Sequence, residues 1–274
     1  RFSGWCTSKA SPMFVNFKKR PIYPEMLDNL RQVGGSSTDR DASLSNLVWM
    51  LGDMKRRFHD EPWEYLISSA LLNTQSVTVN GKTVAPDFGL PSSHNLVEVT
   101  SWATASTDID AKVETVKRLF ATDAGRTAVT ALCGRNIFGY LRKNTTIKSW
   151  FQNQTGSSET FGRFQQDRID GLFGINWVTI RGGYFVSGTF TPYIPDDTII
   201  FIPNIDRSWF QIHNGSVRYP TPAGNGGSEF GKSYGLTSWS EKASEPPSYQ
   251  VFQRWAGLAI PVFPTAIVVL DVTP

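Results

Sequence analysis

Ile194-Pro195-Asp196-Asp197-Thr198-Ile199-Ile200-Phe201-Ile202-Pro203 is the stretch whose reading decides the fold. Proline pre-sets φ and an aspartate side chain bonds readily to nearby backbone, so Pro195-Asp196-Asp197 sets a turn. The apolar run that follows, residues 199–202, predicts a strand. It lies inside a strand-rich region: further strands are expected over residues 175–180, 184–186, 249–260 and 266–272. Another, over 210–219, is broken at Asn214-Gly215, and residues 223–235 read as a Gly-rich loop.

Upstream the pattern changes from strand to helix. Thr107-x-x-Asp110 has the form of a capping box, and Ile109, Val113, Val116 and Phe120 form one stripe with Gly125 just past its end. That spacing predicts a helix over 108–122. Between this helix and the strand-rich half, a buried strand is expected at 128–133, a short helix at 137–141 and a polar loop at 148–158. Before it, Val77, Val79 and Val84 flank Asn80-Gly81, whose tolerance of positive φ predicts a β-hairpin. Pro62 suits the first turn of a helix running to about residue 72, and Leu47, Met50, Met54 and Phe58 recur at helical spacing from Asp41. The fold class is therefore α+β, with no repeat of solenoid period.

Residues 1–38 mix Trp5, Phe14 and Phe17 with Pro12, Pro21 and Pro24 in no clean period, which reads as an extended arm that needs a partner to order it. The chain opens at Arg1 in mid-pattern, so a leading segment is expected to precede it. At 274 residues the chain buries a sizeable core without metal or disulfide staples. Charged residues are 19% and aromatics 13%, with nine Trp, so much flat apolar surface must go into a core or onto partners. The net charge of +3 arises from 27 basic and 24 acidic residues that are intermixed. Only short basic runs occur, Lys18-Lys19-Arg20 and Lys55-Arg56-Arg57, which is no clamp for phosphates. Cys6 and Cys133 stand far apart, which suggests neither a disulfide framework nor a zinc site. No apolar run is long enough to predict a membrane span, and no signal peptide opens the chain. The sequons at Asn144, Asn153 and Asn214 are then chance matches.

Gly226-Gly227-Ser228-Glu229-Phe230-Gly231-Lys232-Ser233 matches the phosphate-binding loop pattern, in which backbone amides would cradle phosphates and Lys232 would reach the outer ones. That chemistry needs a buried strand before the loop and a helix after it. The Pro-rich stretch 219–224 and the strand-like 234–239 supply neither, so a P-loop-like nucleotide site is carried only as an alternative. A Trp-rich carbohydrate-binding β module is the other. His59-Asp60-Glu61 are consecutive and point about 100° apart on a helix, so they do not converge. Cys133, in an apolar strand, reads as inert core. Asp108, Asp110 and Glu114 fit a helix N-terminus. No catalytic, cofactor-binding or metal-ligating set is assigned.

With these elements placed, the chain resembles the E family of tailed-phage major capsid proteins, which share the Hong-Kong-97-type capsid fold. Three stretches carry the resemblance. The first runs from Ser68-Ser69-Ala70-Leu71-Leu72 through the hairpin Val77 to Val84 and on to Asp87-Phe88-Gly89-Leu90-Pro91 and Trp102. The second is the Pro-Asp turn and strand quoted at the start. The third is Leu258-Ala259-Ile260-Pro261-Val262-Phe263-Pro264 with the strand after it. The N-terminus is abbreviated and lacks the arm such proteins usually carry, and the placement of the Gly-rich insert at 223–235 does not match the family pattern.

The resemblance implies an axial domain, a peripheral domain with a long spine helix over 108–122, an extended loop and an N-terminal arm. Residues 1–40 would form the loop and arm, 41–125 the peripheral domain, 126–205 mainly the axial domain, and 206–274 a β-rich return through both. It implies hexamers and pentamers of the chain in an icosahedral shell of the virion, assembled in the host cytoplasm around non-specifically held DNA. Portal, scaffold and decoration proteins would be its other partners, with no membrane, no cofactor and no enzymatic activity. Phe14, Phe17, Lys18, Arg20, Lys55, Arg56 and Arg57 are the candidate intersubunit contacts.

Overall fold

The computed structural model describes residues 14–22, 63–79, 82–153, 167–186, 188–203, 210–220, 230–243 and 248–273. Strands β1 (Phe14–Ile22), β2 (Val77–Val79), β3 (Lys82–Val84) and β4 (Asn95–Val97) come first. β5 (Thr130–Cys133), β6 (Arg168–Leu172), β7 (Ile175–Thr179), β8 (Gly183–Val186), β9 (Thr189–Pro192) and β10 (Thr198–Ile202) fill the middle. β11 (Phe210–Asn214), β12 (Ser216–Pro220), β13 (Phe230–Tyr234), β14 (Thr237–Ala243), β15 (Ser248–Pro261) and β16 (Val268–Asp271) complete the order. Helices occupy residues 63–71, Ile109–Leu119, Ile137–Lys143 and Thr145–Asn153.

The chain divides into two compact units, each assembled from separated stretches. The first takes its described residues from Arg1–Trp63, Ser76–Ala85 and Ile212–Ala259. Its main sheet runs β1-β15-β11, with β14 also paired to β15, and the smaller ladders β2-β3 and β12-β13 accompany it. Strand β1, expected as an extended arm, pairs antiparallel with β15 over its whole length, from Phe14 opposite Gly257 to Ile22 opposite Tyr249. The hairpin foreseen at Asn80-Gly81 is present, with Val77 opposite Val84 and Val79 opposite Lys82.

The second unit comprises Glu64–Gln75, Pro86–Gln211 and Ile260–Pro274 and is built on a six-stranded sheet in the order β4-β16-β10-β5-β7-β6. All of β10 is buried, as a continuous apolar run covered on both faces must be. Its backbone is satisfied antiparallel by β16 on one side and β5 on the other. The helix stripe Ile109, Val113, Val116 and Phe120 is buried in one cluster with Ala131, Cys133, Ile200 and Leu270. Each such side chain contributes about 1.5–3 kcal/mol by leaving water. The helix therefore shares a core with the strands that follow it, and the boundary expected between 125 and 126 does not separate compact units. His94, fully buried, braces the same core: its ring nitrogens lie 2.8 Å from the Ile267 carbonyl and 2.8 Å from the Asp123 carboxylate.

Three expectations are corrected in detail. The N-cap of the 109–119 helix is Asp108, whose Oδ1 accepts from Ala111 N–H at 3.1 Å, while the Thr107 hydroxyl donates to the Ser101 carbonyl. A π-helical turn, Phe120–Ala124, continues this helix, and Gly125 closes that turn at φ 59°. The expected polar loop at 148–158 is helical up to Asn153. Buried Asn144 is the reason, for its Oδ1 accepts from Ile147 N–H at 3.1 Å and its Nδ2 donates to the Thr107 carbonyl at 2.8 Å. The Gly-rich loop expected over 223–235 ends early, since 230–234 is strand β13 paired with β12.

The Pro195-Asp196-Asp197 turn ties this sheet together. Thr198 N–H closes it on the Pro195 carbonyl, and the Asp196, Asp197 and Thr198 carbonyls accept from Asn136, Val272 and Gly134. The Asp197 carboxylate accepts from Asn136 Nδ2 at 3.0 Å and from Tyr140 Oη at 2.8 Å. That hydrogen bond, with burial second, raises the Tyr140 phenol above its ordinary value. Gly134 lies so close beneath the turn that a Cβ there would collide with the Pro195 and Asp196 carbonyl oxygens.

Two outcomes follow for stability. Gly134→Ala is expected to lose about 1–3 kcal/mol or more in urea unfolding, because the obstructing atoms are backbone and cannot swing aside. Tyr140 holds its proton more tightly when folded, so its contribution is complete below the ordinary phenol value of about 10 and is lost as pH rises through the folded value. In urea titrations at increasing alkaline pH, Asp197→Asn is expected to flatten that decline. An unchanged alkaline slope would show that the bond is not linked to folding.

Candidate functional site

The sheet register gathers five strand ends into one row. Val97 stands opposite Asp271, Asp271 opposite Thr198, Ile199 opposite Cys133, and Cys133 opposite Thr179. The C-terminal ends of β4, β16, β5 and β7 thus lie beside the N-terminal end of β10. The segments that leave this row carry half of the large exposed apolar side chains described: Val97 at 57%, Val99 at 91%, Phe185 at 73% and Phe190 at 36% of full exposure.

Phe185 and Phe190 face each other across the β8-β9 hairpin, edge to face with ring centroids 5.5 Å apart. Its base is firmly seated. Tyr193 N–H donates to the Gly182 carbonyl at 3.1 Å, and Tyr184 sits between Tyr65 and Tyr193, with centroids at 5.1 and 5.8 Å. Burial, and secondarily the neighbouring Tyr65, pushes the Tyr184 phenol up. Arg135 grips Asp196 with both arms of its guanidinium, Nε to Oδ1 at 2.6 Å and Nη2 to Oδ2 at 2.9 Å. The bond to Asp196 raises the Arg135 pKa still further. The same guanidinium lies 5.1 Å from the Phe190 ring centroid. A half-exposed ion pair contributes little energy. Its two-point geometry nevertheless fixes the plane on which the Phe190 ring rests. The aromatic pair is thus held at the surface in a defined orientation.

At the opposite flank of the row, β4 is the outermost described strand and, among the described residues, pairs only with β16. Beyond it, Glu98 N–H donates to the Asp271 carbonyl at 2.9 Å and Trp102 N–H to the Val272 carbonyl at 3.1 Å. These bonds hold the exposed Val99 between two anchored backbone points.

The residues singled out from sequence fall elsewhere. Phe14, Phe17, Lys18 and Arg20 lie on β1, opposite Gly257, Arg254, Gln253 and Val251 of the same chain. Lys55, Arg56 and Arg57, like His59, lie outside the described residues. Of the phosphate-loop string, 230–233 belongs to β13, with Lys232 opposite Arg218 and its Nζ 5.5 Å from the Tyr234 ring centroid. A strand occupies the place where nucleotide binding requires a helix N-terminus, which removes that alternative. Trp102, Trp177 and Trp255 are buried, so these three cannot form a sugar-binding platform. Cys133 is fully buried, and desolvation pushes its thiol far up, which keeps it inert.

Residues 17–242 match the family model described as phage major capsid protein E. No curated protein sequence matches the chain. Among solved structures, a prophage protein from E. coli CFT073, titled provisionally as a capsid protein, aligns at TM-score 0.59 with 15% identity, over 95% of this chain and 77% of its own. A likeness at that identity shows the fold. The capsid of cyanophage P-SCSP1u aligns more loosely, at TM-score 0.45 and 12% identity over 99% of this chain and 78% of its own. A virus-like particle from Pyrococcus furiosus does so at 0.43 and 11%, over 95% and 78%. With the family model covering most of its length and a capsid-type fold beneath it, the chain belongs to the phage major capsid protein E family.

Proposed function

We propose that this chain is the subunit of a tailed-phage head, closing as hexamers and pentamers into an icosahedral shell around double-stranded DNA. The family match over residues 17–242 is the observation that carries this reading. The structure supplies surfaces suited to it. β1 is the end strand of its sheet and nine residues long, with one partner among the described strands. Such an edge offers unpaired backbone groups to a neighbour. The exposed Phe185-Phe190 pair offers apolar area.

Energetics favour a closed lattice over isolated pairs. Burying a phenylalanine fully contributes about 1.5–3 kcal/mol, while immobilising a partner costs roughly 4–15 kcal/mol. One such contact therefore does not hold a dimer. In a closed ring every subunit is held on two sides, and each contact raises the effective concentration for the next.

In this reading Phe14, Phe17, Lys18, Arg20 and the Lys55-Arg56-Arg57 run make intersubunit contacts. The subunit works by binding copies of itself, with no catalytic step. It assembles in the host cytoplasm and meets a portal, a scaffold and decoration proteins there. The balanced charge of +3 suits a container, because strong phosphate binding would oppose both packing and release of the genome.

Electron microscopy of the expressed full-length protein is expected to show shells, tubes or capsomers; a persistent monomer under all assembly conditions would overturn the reading. Purified unassembled subunit is expected to bind duplex DNA only weakly at physiological salt. Nanomolar affinity there would instead mark a dedicated nucleic-acid protein.

A further inference from the structure

We propose that Phe185 and Phe190 of one copy dock on Val97 and Val99, at the β4 flank of the next copy, in a head-to-tail contact that repeats around a ring. This inference rests on the shell-building reading and names the surfaces it would use.

The two patches lie toward opposite flanks of a single row of strand ends. β4 is the first strand of the sheet and β7 the fifth, so four strand spacings, about 19 Å, separate β4 from the strand that leads into the hairpin. A surface that pairs with itself gives a two-fold dimer, whereas two different surfaces on opposite flanks give a head-to-tail contact, which closes into a ring when its rotation divides a full turn. The hairpin is the projecting partner, since its two rings stand out from a base held by Gly182, Tyr193 and Arg135. The β4 flank is the receiving partner. Its valines are small and strongly exposed.

The backbone reinforces the match. β4 has one sheet partner, and β8 and β9 pair only with each other, so both sides of the contact retain a free strand edge among the described residues. Edges of this kind add strands across an interface. Phosphate-bearing or strongly acidic partners fit less well, because the cations at the hairpin, Arg135 and Arg181, are already engaged by Asp196 and Asp167. At the β4 flank Glu98 is likewise paired, with Lys112 at 3.4 Å, so an apolar patch meets a second apolar patch on an identical chain.

Cross-linking tests the contact directly. In a Cys6→Ser background, Phe185→Cys combined with Val99→Cys is treated with a short homobifunctional maleimide after assembly. Buried Cys133 stays silent in the folded chain. The expected result is a ladder of covalent oligomers running up to the size of one ring, at least tenfold stronger than in either single-cysteine variant. Shells that assemble without this ladder would overturn the contact and leave the shell reading intact. A strong covalent dimer from Phe185→Cys alone would show hairpin meeting hairpin and would also overturn it. If the unsubstituted chain forms no assemblies at all, the shell reading fails and this inference with it. As a second measure, Phe185→Asp with Phe190→Asp is expected to lower the yield of assembled particles at least tenfold while leaving the thermal unfolding of the subunit unchanged. Assembly at the unsubstituted level would count against the proposal.

Discussion

A strand covered on both faces has no access to water, so its amides and carbonyls must find partners on both edges. β10 is such a strand, and the need to satisfy it dictates the second unit. Its two neighbours come from far away in sequence, β5 some seventy positions before it and β16 some seventy after. The chain must therefore return from its last residues to close the sheet that its middle began. Gly134 and the Pro195-Asp196-Asp197 turn make that return possible, because two backbones pass there with no room for a side chain. Once β10 is in place, the row of strand ends beside it follows from register, and with it the position of the β8-β9 hairpin.

What was legible in the sequence was whatever local chemistry settles. The all-apolar run of β10, the stripe Ile109, Val113, Val116 and Phe120, and Asn80-Gly81 each determine their element through burial or backbone preference within a few residues. The helix Thr145–Asn153 was missed because its polar composition resembles loop, although Asn144 as a cap and Ile147, Trp150 and Phe151 at helical spacing were there to be read. The division into units was not legible. It depends on which stretches meet in space, and the register of long-range strand pairs is not written at either partner alone.

The exposed hairpin lies between these cases. Phe185 and Phe190 stand symmetrically about Ser187-Gly188, and Gly188 adopts φ 84°, so the turn was within reach of turn chemistry. That the pair stays at the surface was not, because alternation around a short hairpin does not say which face a distant arginine will support. The phosphate-loop string shows the converse. Its residue types were correct, but function requires aligned amides at the start of a helix, and a strand directs successive amides to opposite sides. Lys232 accordingly stands opposite Arg218 in a strand ladder.

A free strand edge and an exposed aromatic pair are liabilities in a protein that works alone, and such features are ordinarily shortened, charged or covered. Here β1 is an end strand among the described residues, and the row beside β10 leaves two phenylalanines and two valines in water. A precise seating that leaves apolar surface exposed makes physical sense when something covers that surface in the working state. The tyrosines and the Arg135–Asp196 pair hold the hairpin ready before any neighbour arrives, so little ordering remains to be done on contact. Low cost per contact, not high strength, is what lets a many-membered shell close while misplaced subunits can still leave.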